Sequence, residues 1–498
     1  MSALYVGLDV GTQSVKLVAY DPEAGEVVST QSSALALTSA EDGTREQEAA
    51  WWIEGIVACF AGMPAGQRAR VRGIAVSGQQ HGFVPVAADG TVTAPVKLWC
   101  DTSTQAQVEA LMAAVGGVPG AVAAAGNPIL AGYTASKLPW TRVHRPAAYA
   151  AMATVMLPHD YVNFWLTGER FMEAGDASGT GWLDVRTRTW SEPMLRAIDP
   201  ERDLRAALPP LVEPGTSFAL SAAAAQALGL PAGVRVTTGG GDNMMAAIGT
   251  GNVVPGRLTM SLGTSGTLFA HAERPVVDAA ARWAAFCDST GGWLPLICTM
   301  NCTVATEAAM RLGGLDRAQA EAAVAGTAPG ADGLAMLPFF NGERTPDLPA
   351  ARGMLFGMEP HNTTPAHVYR AAMEGATYSL RNGYDAFVEA GLRFDTVLLT
   401  GGGSKSAQWR QMVADVFGLP VRVPSQPEGA AFGAALQALW ACAGGGATLA
   451  EVVLAHLQFD EALAATPDPG RTAAYAQGYR SFQRYLQAVT PLYRGAVS

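Results

Sequence analysis

The chain writes one short plan twice. Residues 4–21, LYVGLDVGTQSVKLVAYD, read as an apolar strand, a Gly-Thr turn rich in hydroxyls, and a second apolar strand. Residues 256–273, GRLTMSLGTSGTLFAHAE, repeat that order. The interval is far too long for a solenoid, so the repeat predicts two similar halves, each opening with a hairpin. Gly, Asn and Pro cluster in GTGNVVPG, residues 249–256, and set the expected boundary: one domain over 1–248 and another over 249–498. Between the hairpins, strands alternate with helical patterns such as QEAAWWIEGIVACF, so the expected class is α/β. The segment DTSTQAQVEALMAAV reads as a helix with an acidic start, and the tail beyond about residue 460 as helical, packed on either half.

With 49% hydrophobic and 15% charged residues, a 498-residue chain can bury more than one core. A net charge of −10 argues against a nucleic-acid or anionic-membrane partner, which would require clustered Lys and Arg. It does not exclude anionic small molecules, because backbone amides and Mg²⁺ can hold phosphates. The six cysteines form no CxxC pair and read as free thiols in a reducing compartment. The N-terminus lacks the pattern of a secretion signal, and the uncharged stretches 110–136 and 289–306 are broken by Gly, Pro, Asn and Thr. The expected location is cytoplasmic.

Neither GxxxxGK[ST] nor a strict GxGxxG occurs, which removes the P-loop and argues against an NAD-dependent oxidoreductase. Three glycine turns carrying hydroxyls remain: DVGTQS (Asp9 to Ser14), SLGTSG (Ser261 to Gly266) and TGGGS (Thr400 to Ser404). Each alone is a common connection. One hairpin turn per half plus a strand–glycine–helix loop is more specific, and suits a triphosphate lying between the halves. Ser404 is the expected N-cap of the helix after the third turn. Asp9, at the mouth of the first turn, either accepts N–H bonds there or holds Mg²⁺, directly or through water. Lys16 reads as a solvated strand charge. In VRVTTGGGDNMMAAIG, Asp242 follows three glycines that let a substrate approach closely. It is either the cap of the next helix or a carboxylate placed for proton abstraction.

The motifs DVGTQS, SGQQHG (Ser77 to Gly82), LWCD (Leu98 to Asp101), GGGDN, SLGTSG, NGERTP (Asn341 to Pro346) and TGGGS stand in the order found in the FGGY carbohydrate kinases. The chain resembles that family from about Leu4 to about Trp440. The resemblance also covers GYTASKLPW and GMLFGMEPHNTTPAHVYRAAMEG, with Thr141 at a usually apolar position. It implies two ribonuclease-H-like domains of the actin-like ATPase superfamily, with ATP and a sugar in the cleft between them. It implies Asp242 as catalytic base, and Gln80, His81, Asp101, Asp242 and Asn243 as sugar ligands. ATP would meet Gly11, Thr12, Gln13, Ser14, Gly263, Thr264, Gly401, Gly402, Gly403 and Ser404, with Mg²⁺ near Asp9. Many relatives carry Met in place of Gln80 and Asn in place of Cys100, and glycerol kinases carry Arg-Glu at the Gln80–His81 place. Trp51 and Trp52 are candidates for the pocket wall or the core.

The expected reaction is ATP-dependent phosphorylation of a ketose, D-xylulose first. Other sugars or polyols, such as ribulose or gluconate, come second. A chaperone-like ATPase of the same fold is the alternative from another class. The expected partner is a small sugar, with a homodimer as the one protein association considered.

Overall fold

A computed structural model describes residues 2–494. In the first half, β1 (Leu4–Val10), β2 (Ser14–Asp21) and β3 (Glu26–Ala34) form an antiparallel meander. Helix α1 (Ala49–Gly62) follows, and then β4 (Val71–Gly78) lies parallel to β1. Helix α2 (Pro158–Thr167) precedes β5 (Ser217–Ala219) and β6 (Arg235–Thr237), which is parallel to β4. The sheet order is β5-β6-β4-β1-β2-β3, and α3 (Asp242–Thr250) leaves its far end.

The second half begins with β7 (Gly256–Leu262) and β8 (Gly266–Phe269), then β9 (Ala284–Cys287) and β10 (Trp293–Thr299). Helix α4 (Pro365–Glu389) leads to β11 (Phe394–Thr400), α5 (Ala407–Phe417), β12 (Val421–Arg422), α6 (Gly429–Ala443) and α7 (Pro469–Arg494). Its sheet runs β9-β10-β8-β7-β11-β12. Set side by side, β3-β2-β1-β4-β6 and β10-β8-β7-β11-β12 have one topology: three antiparallel strands, then two parallel ones. This is the ribonuclease-H-like pair that the resemblance implies. The buried strand β1 reads as an almost unbroken apolar run, whereas the edge strand β3 alternates and is largely exposed.

The joint between the halves is made by α3 and α6. Helix α6 belongs to the second half by sequence, yet it lies on the first sheet. A Cβ on Gly7 of β1 would fall 1.7 Å from the Ala431 carbonyl oxygen, and one on Gly433 would fall 1.9 Å from that of Met245 in α3. Only residues without side chains allow this approach of helix to strand and helix to helix. In return, Met245 and Ile248 of α3 share a buried apolar cluster with Phe269, Phe286 and Leu294 of the second sheet.

Two expectations change and one left open is decided. The helix in 101–115 starts at Gln105, without an acidic first turn. Ser404 does not cap α5: its hydroxyl donates to the Gly401 carbonyl (2.7 Å) inside a 3₁₀ turn at Gly402–Lys405. The chain needs that extra turn before α5, so the cap passes to Ser406, which accepts from the Trp409 N–H (3.0 Å). The tail, which the sequence left open to either half, packs on the second, with Tyr475, Tyr479 and Phe482 of α7 in that half's core. Among the described residues no single helix is long and apolar enough to cross a membrane.

Candidate active site

Asp242 is the first residue of α3, after the N-cap Gly241, so it is not the side-chain cap of its helix. Its Oδ1 accepts from the Asn243 N–H (2.7 Å) and from Asn243 Nδ2 (2.9 Å). Burial, and then the charges of Asp9 and Asp176, push the Asp242 carboxyl up to about 7. A carboxylate at a helix start would ordinarily stay ionised far below that. Desolvation beside like charges wins here.

Gln80 is buried, and its Oε1 accepts from Asn243 Nδ2 (2.9 Å), so the SGQQHG and GGGDN motifs meet. His81 has φ 65°, uncommon for a non-glycine residue, and its ring stacks on Tyr133 at 4.6 Å. Its Nδ1 donates to the Gly179 carbonyl (2.6 Å), and Phe286 lies tilted beside both rings, 5.8 Å from His81 and 6.3 Å from Tyr133. Burial and the neighbouring Lys137 push the imidazole down to about 3, so it is neutral near pH 7. An imidazole held this way offers one free ring nitrogen to a hydroxyl. The Thr141 hydroxyl, at the usually apolar position, is satisfied by the Lys137 carbonyl (2.7 Å).

Asp101 lies apart from this group. It is fully buried, and both of its oxygens are occupied. Oδ2 takes the Arg45 N–H (2.8 Å) and Lys97 Nζ (3.0 Å), while Oδ1 takes the N–H (3.0 Å) and hydroxyl (2.6 Å) of Ser103. That leaves no acceptor for a sugar. Trp52 is likewise part of the first core, donating to Gln47 Oε1 (3.0 Å).

The second and third glycine turns lie against each other, since a Cβ on Gly401 would fall 2.7 Å from the Leu262 carbonyl oxygen. Asp9 Oδ1 accepts from the Ser77 hydroxyl (2.8 Å) rather than from N–H groups of its own turn, and burial raises its carboxyl above the usual range. Thr12 donates to Gln79 Oε1 (3.0 Å) and accepts from Trp99 Nε1 (2.9 Å), fixing the first turn, while Gln13 is exposed. In the second half, the Gly263 and Thr264 carbonyls accept from the Thr303 (2.9 Å) and Cys302 (3.0 Å) N–H groups, which leaves the Thr264 side chain exposed. Gly401 and Gly402 are also exposed. Lys16 is not a free charge, because it pairs with Glu428 across the two halves at 2.5 Å.

One group was invisible to sequence reasoning. Behind the glycines of the base loop, His159 Nδ1 meets Asp176 Oδ2 at 2.6 Å, and Glu173 accepts from the Gly175 (2.7 Å) and Asp176 (2.5 Å) N–H groups. Burial pushes Glu173 and Asp160 up to about 7 and Asp176 well above its ordinary value. In EAGDASGT the Glu173 carboxylate has a local task, capping the N–H groups of Gly175 and Asp176, so only Asp176 stands without a local partner, and its His159 contact comes from another element.

Comparison with known proteins gives this arrangement its class. Residues 4–249 match the N-terminal domain of the FGGY family of carbohydrate kinases, and residues 258–442 match its C-terminal domain. The chain belongs to that family and is a sugar kinase, which implies use of ATP rather than the chaperone-like activity. A xylulose kinase from Haemophilus influenzae is 39% identical, covering 98% of this chain and all of that protein. One from Escherichia coli is 34% identical over the same shares. The crystal structure of a kinase from Brucella ovis, described as a xyloylose kinase, superposes with a TM-score of 0.91 at 30% identity, covering 98% of this chain and 100% of that one. A gluconate kinase from Lactobacillus acidophilus reaches 0.91 at 21% identity over both full lengths, so the fold itself does not choose the sugar.

Proposed function

We propose that the protein phosphorylates D-xylulose at its terminal hydroxyl, giving D-xylulose 5-phosphate and ADP. The observation that carries this reading is 34–39% identity to xylulose kinases over nearly the whole chain, together with the contact of Gln80, next to His81, with Asn243, next to Asp242. His81 orients the sugar by hydrogen bonding, with Tyr133 and Phe286 fixing its ring. Gln80 and Asn243 hold the Asp242 carboxylate in place. Asp242 takes the proton of the attacking hydroxyl as its oxygen bonds to the γ-phosphorus and the bond to the bridging oxygen breaks. Deprotonated Asp242 is the competent form, and its raised value brings its proton affinity closer to that of the hydroxyl.

Free backbone N–H groups of the turns at Gly11 to Ser14, Gly263–Thr264 and Gly401 to Gly403, with the exposed Thr264 hydroxyl, serve the nucleotide, whereas the Ser404 N–H and hydroxyl are taken by the Gly401 carbonyl. The domains divide accordingly, with sugar and base in 1–248 and most nucleotide contacts in 249–498. Asp9 suits Mg²⁺: it is a carboxylate at the turn mouth, with Oδ1 committed to Ser77 and Oδ2 without a partner among the described residues. Such an ion supplies charge neutralisation at the phosphates. A coupled ADP-release assay across ketoses, polyols and sugar acids tests the substrate. The reading requires kcat/KM for D-xylulose to exceed that for ribulose, glycerol and gluconate, and a higher value for any of these overturns it.

A further inference from the structure

The strand that delivers Asp242 is irregular. β6 pairs with β4 at Arg235–Gly73 and Val236–Ile74, and the pairing resumes at Gly240–Ser77 and Gly241–Gly78. Four residues are spent on the β6 side for three on the β4 side, which is a one-residue bulge. Gly239 sits in it with φ 66°, and a Cβ there would lie 2.1 Å from the Val76 carbonyl oxygen. The bulge decides which residue starts α3, because side chains alternate along a strand and a slip of one would turn Asp242 away.

A bulge leaves backbone groups outside the ladder, and buried ones must find other partners. At Gly239 a single side chain supplies both partners. Gln437, fully buried on α6, accepts at Oε1 from the Thr237 hydroxyl (3.1 Å) and the Gly239 N–H (2.8 Å). Its Nε2 donates to the Gly239 carbonyl (3.1 Å). The carboxamide thus bonds Gly239 as a neighbouring strand residue would, but it comes from a helix of the other half. Opposite it, Asn163 Nδ2 of α2 holds the Thr238 carbonyl (2.8 Å).

We propose that Gln437 is a positioning residue for the catalytic carboxylate. It locks the bulge before Asp242 in register, so that the base faces the cleft only while α6 of the second half is docked on the first sheet. This rests on the reading of Asp242 as the base. No other described side chain bonds the Gly239 backbone, and α6 is held to the same sheet along its length, from Glu428 on Lys16 to Ala435 against Gly7.

The full-length variant Gln437→Leu keeps the volume and removes all three hydrogen bonds. Its kcat should fall about 10–100-fold, with the dissociation constants for ATP and sugar changed less than twofold. Deuterium exchange should rise at residues 239–243 and stay unchanged at the β1–β2 hairpin. Gln437→Met likewise removes all three hydrogen bonds but carries a flexible side chain that adapts to the buried site, so it should show a similar fall in kcat and serves if the leucine variant does not fold. A kcat within twofold of wild type in either folded variant, or deprotection spread over the whole first sheet, overturns the proposal. Asp242→Asn is measured in parallel. If its turnover collapses while the Gln437 variants are normal, only the positioning role fails. If Asp242→Asn remains active, the base assignment fails and the inference with it.

Discussion

The two opening hairpins are equivalent in register and opposite in chemistry. Asp9 of β1 pairs with Lys16 and Ser77, and Ser261 of β7 pairs with Thr267 and Thr400. The same place in the repeat therefore carries a carboxylate in one half and a hydroxyl in the other. The helices that follow the two sheets diverge likewise. In the first half Asp242 opens α3 with no cation paired to it among the described residues. In the second, Glu428 stands before α6 and is neutralised by Lys16. The repeated topology fixes where strand ends and helix starts converge, but not their charge. Gathering both unpaired carboxylates on one half makes that half the one suited to a metal ion and a base. The other keeps the neutral turns suited to phosphate.

The sharpest way to break this contrast is Asp242→Asn. It should lower turnover by about 10²–10⁴-fold, the usual worth of a general base, with both ligands still bound. In the wild type, kcat/KM should rise with pH and level off above about 7, because only ionised Asp242 accepts the proton. Stability carries the opposite sign. The folded protein holds that proton more tightly than the unfolded chain, so ionising Asp242 costs stability as pH rises from about 4 to about 7. The melting temperature of Asp242→Asn should therefore exceed that of wild type at pH 8 and match it at pH 4. Next in size, Asp9→Ser gives the first hairpin the residue of the second. Turnover should fall about 10–100-fold, as for loss of a metal-site partner, and recover in part at raised Mg²⁺. A loss that does not respond to Mg²⁺ would separate Asp9 from the ion.

His81→Ala tests the sugar wall alone. It should weaken sugar binding by about 0.5–1.5 kcal/mol, the net value of a hydrogen bond, and leave ATP affinity unchanged by calorimetry. Glu428→Gln should have the smallest effect. The Lys16–Glu428 pair is about one-third exposed (35% and 30%), so its loss is worth only about 0.2–1 kcal/mol in denaturant unfolding. A large loss of turnover there would show that the second half's acidic residue does more than neutralise a charge.

What was legible in the sequence is local. The hairpins, β4, α1, β11 and its glycine loop all follow from apolar runs punctuated by Gly and Thr within a few residues. That Gln80 and Asn243 share one site was implied by the resemblance to the FGGY kinases, not by any local pattern. Asp101 was only half legible: Lys97 stands directly before LWCD, but Arg45 comes from another strand of the same small sheet, 56 positions away, and nothing local announces it. Gln437 was hidden more deeply. Within FGAALQALWACA it is one polar residue on an apolar helix, and its three bonds reach back about 200 positions. Buried polar networks depend on which elements cross, and a single sequence holds no period that encodes the crossing. The Ser404–Ser406 shift is milder: two serines two apart both satisfy the capping rule, and only the length of the glycine turn decides between them.

The exchange of α3 and α6 also bears on how the protein is made. On the ribosome, β1 to β6 are complete long before residues 429–443 emerge, yet the face of β1 around Gly7 is shaped for that late helix. Until then the first sheet has an uncovered apolar side, and its final closure is a contact of very large sequence separation, the slow kind. The nascent first half is thus a natural client for chaperones during synthesis of the second. A fragment ending at the boundary near residue 250 inherits that bare face permanently, so the halves fold as one unit even though each carries a full sheet.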